Sequence, residues 1–167
     1  MKKIARILCI LLCLAMVLSF AAAAFAAENT TASVSIADYA AANGWTNSTL
    51  YATLNLDSVV SVAVSGTPVG SYGQNTGKYY TSDSTWRVYQ SDTSTVTVTA
   101  AEGKTIVSVK VTYISNKTGV LLNGDAAVET DAVIEVNANS ITLGVGNTDA
   151  SVTNGQVRIT AIEVVYN

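Results

Sequence analysis

Alternation of apolar and polar residues dominates the chain from residue 52 onward. In Thr95-Val96-Thr97-Val98-Thr99 the valines take one parity and the threonines the other, which is the period of an extended strand with one packed and one wetted side. The run 106–113 repeats the pattern, with Val107, Val109, Val111 and Tyr113 on the predicted inner side. The run 59–65 does so with Val60, Val62 and Val64. Further strands are predicted at 86–90, 120–122, 132–136, 140–145 and 156–166, at the spacing of about ten residues that marks a sandwich or barrel. Within 156–166 the inner parity slips. Val157 and Ile159 share one phase and Ile162, Val164 and Tyr166 the other, so the strand either carries a β-bulge between Ala161 and Ile162 or is central and covered on both faces.

Only one segment has helical grammar. Ser35-Ile36-Ala37-Asp38 forms a capping box, in which a hydroxyl and a carboxylate satisfy orphan backbone donors. Tyr39-Ala40-Ala41-Ala42 continues it, and Asn43-Gly44 supplies a left-handed stop. A helix of two turns is predicted there. Asn123-Gly124 and Asn154-Gly155 are turn signals. The longest stretch without alternation, 66–83, is rich in Gly, Tyr, Ser and Asn and is the loop expected to carry function.

The first residues change the picture of where the protein works. A short basic start, Met1-Lys2-Lys3-Ile4-Ala5-Arg6, leads into an apolar run to Ala27, and Ala24-Phe25-Ala26 fits the small-x-small cleavage rule. This is the grammar of a secretory signal peptide over 1–26, followed by a single domain over 27–167 that begins at Ala27 or Glu28. The mature protein is then expected outside the cell, with no membrane attachment after cleavage. Cys9 and Cys13, the two cysteines of the chain, fall inside the signal, so the exported domain must be held by packing without disulfides. Losing Lys2, Lys3 and Arg6 leaves six basic residues against twelve acidic ones, a formal charge of −6. Such a surface repels phosphate backbones, and nucleic acid is a poor partner for it.

The chain has no histidine, and its mature part has no thiol, so the usual base, the thiolate nucleophile and the best zinc ligands are missing together. Carboxylate chemistry remains. Asp83 and Asp92 flank the strand at 86–90, and Glu129 lies near Asp131, but sequence alone does not set either pair across a cleft as glycoside hydrolysis requires; they read as turn and surface acids. Asp125 and Asp149 read as turn residues bonding their own backbone. No catalytic residue, metal site or cofactor is assigned.

The aromatic residues say more. Trp86 and Val88 share the predicted inner face, which sends Arg87 and Tyr89 to the opposite one, and Tyr72, Tyr79 and Tyr80 lie in or beside the preceding loop. Rings with polar rims suit the apolar faces and hydroxyl edges of sugars, although strands also favour tyrosine for packing. Arg158 points away from the core between Val157 and Ile159, either joining Arg87 or pairing with a surface acid. The candidate ligand-binding set is Tyr79, Tyr80, Arg87, Tyr89 and Arg158.

The motifs Gly77-Lys78-Tyr79-Tyr80, Trp86-Arg87-Val88-Tyr89-Gln90, Gly119-Val120-Leu121, Gly146-Asn147-Thr148 and the final 155–164 segment resemble the small secreted β-sandwich domains of gut-dwelling bacteria. The strand order looks similar to that of jelly-roll, galactose-binding-like carbohydrate-binding modules. The resemblance implies an all-β, antiparallel β-sandwich of jelly-roll type, with nine or ten strands preceded by one short helix. It also implies secretion, and with the tyrosine and arginine surface it leads to the expectation of a non-catalytic binding module for glycan. The alternative is a structural or adhesive protein that contacts cell-surface proteins or its own copies through strand edges or apolar patches.

Overall fold

A computed structural model describes residues 28–68 and 74–167; the expected signal peptide at 1–26 and Tyr72 lie outside the described residues. Strand β1 (Thr30–Ser35) leads into helix α1 (Ile36–Ala42), then β2 (Thr53–Asn55), β3 (Val60–Ser65), β4 (Lys78–Tyr80) and β5 (Thr85–Tyr89). After a single 3-10 turn at Gln90–Asp92 come β6 (Thr95–Ala100), β7 (Ile106–Asn116), β8 (Gly119–Asn123), β9 (Ala126–Val128), β10 (Val133–Ala138), β11 (Ser140–Asn147) and β12 (Gln156–Tyr166). The first sheet has the order β10-β7-β12-β5-β4, with β1 also on β12, and the second has the order β2-β3-β6-β11-β8-β9. Every pairing is antiparallel. The two inner faces share one apolar cluster, to which β3 and β6 bring Val60, Val62, Val64, Val96 and Val98, and β5, β7 and β12 bring Trp86, Val88, Val109, Val111, Ile159, Ile162 and Val164. Each such aliphatic side chain contributes about 1.5–3 kcal/mol when fully withdrawn from water, so the all-β sandwich needs no covalent staple.

The helix forms where its caps predict. Ser35 Oγ accepts the Asp38 N–H at 3.4 Å, and Gly44, at φ +66°, turns the chain so that the Trp45 N–H reaches the Ala40 carbonyl at 2.9 Å. Ile36 and Ala40 enter the core, while the Tyr39 hydroxyl accepts the Asn55 N–H of β2 at 3.2 Å. The helix therefore ties the first sheet to the second. Just beyond it, Trp45 stacks on Tyr51 with ring centres 4.3 Å apart and meets Tyr39, Tyr79 and Trp86 at 5.3, 5.8 and 5.8 Å.

Four details depart from the sequence expectation. A strand precedes the helix, because β1 pairs with the last strand from Thr30↔Tyr166 to Ser35↔Ala161. Three strands, β2, β4 and β9, have only three residues each, too few for alternation to show, and they raise the number among the described residues to twelve. Ile106 takes the inner position assigned to Val107, since the register on β12 skips Val107 between Ser108 and Ile106. The slip in β12 occurs one step earlier than expected, at Thr160, between Ile159↔Tyr113 and Ala161↔Thr112. The bulge accounts for the slip: β12 is central, flanked by β7 on one side and by β5 and then β1 on the other, but it is not covered on both faces, since Arg158, Thr160, Ala161, Glu163 and Val165 on its outer side stay partly exposed.

The end of β12 is tied across the sandwich. Tyr166 donates its hydroxyl to Asp57 Oδ2 at 2.9 Å, and Asp57 Oδ1 accepts the Val59 and Val60 N–H groups at 2.7 Å each. Burial opposes the Asp57 charge, but the Val60 and Val59 N–H groups and the Tyr166 hydroxyl outweigh it and hold the carboxyl below its usual value. An acid depressed in the fold stabilises fully above its unfolded value of about 3.9, and that contribution vanishes as pH falls through the folded value. Tyr166→Phe should thus lower the urea midpoint at neutral pH, with the gap to the parent narrowing below about pH 4. A gap that stays constant from pH 7 to pH 2 would show that the tie carries no such linkage.

Candidate functional site

Across the outer face of the first sheet, antiparallel register sets Leu50, Lys78, Arg87, Arg158 and Ile114 in one row. A second row beside it holds Tyr89, Gln156 and Asn116. The face is set by alternation: in β5, Trp86 and Val88 are fully buried while Arg87 and Tyr89 are half-buried on the other side. In β12 the same rule sets Gln156 and Arg158 on this side and Val157 and Ile159 on the inner one; Arg158 is half-buried, and Gln156, 7 % exposed, sits at the floor of the face. Ile114 remains 48 % exposed at the end of the first row.

Like charges directly opposite each other on paired strands repel, and Arg87 faces both Lys78 and Arg158. Asp83 offsets part of this. Its Oδ2 accepts Arg87 Nη2 at 2.8 Å and Arg158 Nη1 at 3.3 Å, while Thr85 donates its hydroxyl to Oδ1 at 2.7 Å. Burial disfavours the Asp83 charge, yet Thr85, Arg87 and then Arg158 outweigh it and hold the carboxyl below its usual value. Arg87 also lies over the Tyr80 ring, its guanidinium carbon 3.7 Å from the ring centre, a geometry in which the ring quadrupole attracts the cation. Arg158 Nε donates to Gln156 Oε1 at 2.6 Å. Both readings of Arg158 therefore hold, since it joins Arg87 and shares an acid with it.

The second row borders a hollow of about 220 Å³ lined by Asn75, Tyr89, Ser91, Asn116, Lys117, Asn154 and Gln156. Burial pushes the Tyr89 hydroxyl up to about 12, with the Tyr80 hydroxyl adding to the shift and Arg87 opposing it. Tyr89 is accordingly a neutral hydrogen-bond donor throughout the physiological range.

Four of the five residues expected to bind ligand, Tyr80, Arg87, Tyr89 and Arg158, come together on this face. Tyr79 does not. It is 6 % exposed and packs among the core aromatics, because it pairs with Trp86 and shares that residue's inner side. Treating 66–83 as a loop hid the alternation of β4, which sends Lys78 and Tyr80 outward and Tyr79 inward. Sequence reasoning also missed Asp83 as the bridge between two arginines. Its spacing of four residues from Arg87 is the only local hint, and the tie to Arg158 spans 75 residues.

Asp92, read from sequence as a surface acid, is 3 % exposed. Its Oδ2 accepts the N–H groups of Asn75 and Thr76 at 3.0 and 2.8 Å, and its carbonyl accepts the Thr67 N–H at 2.7 Å. It thereby holds Asn75 at the hollow, where Asn75 Oδ1 in turn accepts Lys78 Nζ at 2.9 Å. Asp92→Ala would leave the buried Thr76 N–H without its acceptor, at a cost of about 2 kcal/mol. A urea midpoint unchanged in that variant would refute this role. Asp149 acts as the sequence suggests, its Oδ1 accepting the Ser151 N–H at 2.9 Å. Among the described residues, no three acidic side chains gather as a metal cage.

Compared with known proteins, the chain matches no family model, no curated protein sequence and no solved structure.

Proposed function

We propose that the chain is an exported, non-catalytic binding module for extracellular glycan, built on a jelly-roll sandwich. The observation that carries this reading is the convergence of Tyr80, Arg87, Tyr89 and Arg158 beside a hollow walled by amide side chains. Planar groups offer area to a sugar ring and amides match its hydroxyls. The strand order supports the architecture: β5 to β12 run β5-β12-β7-β10 on one sheet and β6-β11-β8-β9 on the other, the interleaving of two Greek keys. Export rests on the signal grammar of 1–26 and suits a core that folds without cysteine. The acids weighed for catalysis at the Trp86 strand are engaged structurally, Asp83 by two arginines and Asp92 by backbone N–H groups.

A shallow surface with few ring contacts binds weakly, with dissociation constants from micromolar to millimolar. The test is titration of the purified domain against plant, mucin and microbial polysaccharides. Binding to at least one polymer is expected, and Tyr80→Ala and Arg87→Ala should each weaken it about tenfold, equivalent to about 1.4 kcal/mol. Silence across the whole panel would end the proposal.

A further inference from the structure

Four of the seven side chains that line the hollow, those of Gln156, Asn75, Tyr89 and Lys117, turn hydrogen-bond donors toward it, while Asn116, Asn154 and Ser91 also bring acceptors. Gln156 Oε1 is taken by Arg158 and Asn75 Oδ1 by Lys78, so what these two amides turn toward a ligand is their N–H groups. Tyr89 adds a hydroxyl that keeps its proton, and Lys117, exposed in the corner between β7 and β8, adds an ammonium group. No acid lines the hollow.

Charge is distributed the same way. Beyond residue 27 the chain has twelve acidic and six basic residues, yet Lys78, Arg87, Arg158 and Lys117 all lie in or beside these two rows. The remaining cations are elsewhere, Lys110 paired with Glu163 at 2.9 Å and Lys104 ahead of β7. Two carboxylates accompany the four cations. Asp83 is shared by both guanidinium groups, and Asp92 is turned inward onto Asn75 and Thr76. Three cations in direct cross-strand register cost stability through repulsion, and one shared carboxylate offsets only part of it.

Resting on the glycan-binding reading above, we infer that the hollow takes an anionic saccharide, with a carboxylate or sulfate ester of the sugar set against Lys117 and the amides of Gln156 and Asn75. A group that only accepts hydrogen bonds matches a wall that mainly donates them, and charge-assisted bonds of this kind are roughly twice as strong as neutral ones. A neutral sugar hydroxyl would satisfy the donors but leave the cation row uncompensated.

The experiment compares charged and uncharged versions of one backbone: polygalacturonate against its methyl ester, and dextran sulfate against dextran. Tighter binding of a charged member by about tenfold or more is expected, weakening as salt is raised past about 0.15 M. Binding of polygalacturonate alone or of dextran sulfate alone identifies the anionic group; binding of both shows that either is accepted. Gln156→Glu keeps the side-chain shape and the Arg158 contact while replacing donors by an acceptor, and should abolish the preference. Lys117→Asn should reduce it, and asparagine suits the positive φ of that corner, +49°. Lys104→Asn makes the same charge change away from the face and should leave it intact. Equal affinity for charged and uncharged partners overturns the inference while leaving glycan binding standing, and equal losses in Lys117→Asn and Lys104→Asn overturn it as diffuse attraction. Absence of binding to these four polymers and to the wider panel removes both readings together.

Discussion

Trp86→Ala should lower the stability of the domain by about 3–5 kcal/mol, the range for deleting a large aromatic from a packed core. Trp86 is fully buried, and its indole N–H is shared by the Tyr51 and Gly77 carbonyls at 2.9 and 3.0 Å. It also meets Trp45, which links the helix to the first sheet through Tyr79 and Trp86. Three losses coincide on truncation: apolar area, ring contacts, and a donor on which the Tyr51 carbonyl depends. Trp86→Phe separates them in part, since it keeps a six-membered ring in the core but loses the N–H together with the rest of the indole, and a loss of about 2–3 kcal/mol is expected, smaller than that of Trp86→Ala. Urea unfolding followed by circular dichroism measures both variants, with an unchanged slope showing that the midpoint reports stability. If Trp86→Ala costs less than about 1 kcal/mol, Trp86 is not a keystone of the core.

Gly119→Ala should cost about 3 kcal/mol or more, above the usual range for an added methylene because the clash is with backbone. A methyl group at this position would lie 2.3, 2.4 and 2.5 Å from the nitrogen, oxygen and carbonyl carbon of Gln156. No rotamer change can relieve that contact, so either the central strand or the corner from β7 to β8 must move. The control is Gly144→Ala, whose added methyl would meet Leu122 Cβ at 3.7 Å, an ordinary contact expected to change stability by less than about 0.5 kcal/mol. Gly119 also presses together the two walls of the hollow, Gln156 on β12 and Lys117 in the corner, so any Gly119→Ala protein that folds should bind its ligand more weakly. Equal midpoints for the two glycine variants would contradict the close approach.

Most of the fold was legible because strands of five or more residues show their pleat in the sequence. The valine–threonine alternation of β6 appears in the structure as written, α1 keeps the Ser35 hydroxyl cap and the Gly44 stop but not the Asp38 carboxylate half of its capping box, and the phase slip of β12 marked a real bulge within one residue of its place. What the pattern could not show were strands too short to alternate and β1, whose Thr30-Thr31-Ala32-Ser33-Val34-Ser35 sequence has too little apolar contrast to stand out. The candidate site divides in the same way. Arg87, Tyr89 and Arg158 were placed correctly because each sits one step from a buried neighbour in its own strand. Tyr79 was misplaced because its strand went unseen. Asp83, Lys117, Asn75 and Asn154 reach the face from loops and corners whose positions depend on sheet pairing, and local sequence does not encode that.

The proposed ligand face is the outer side of the β4-β5-β12-β7 sheet. The most direct measurement is an amide chemical-shift titration of the labelled domain with an oligosaccharide of whichever polymer binds tightest, trigalacturonate for polygalacturonate or a sulfated glucan trisaccharide for dextran sulfate. Shifts should concentrate at Asn75, Lys78, Tyr89, Asn116, Lys117, Gln156 and Arg158 and leave β3, β6 and β11 unmoved. Shifts confined to that second sheet, or an unaltered spectrum at millimolar saccharide, would contradict it.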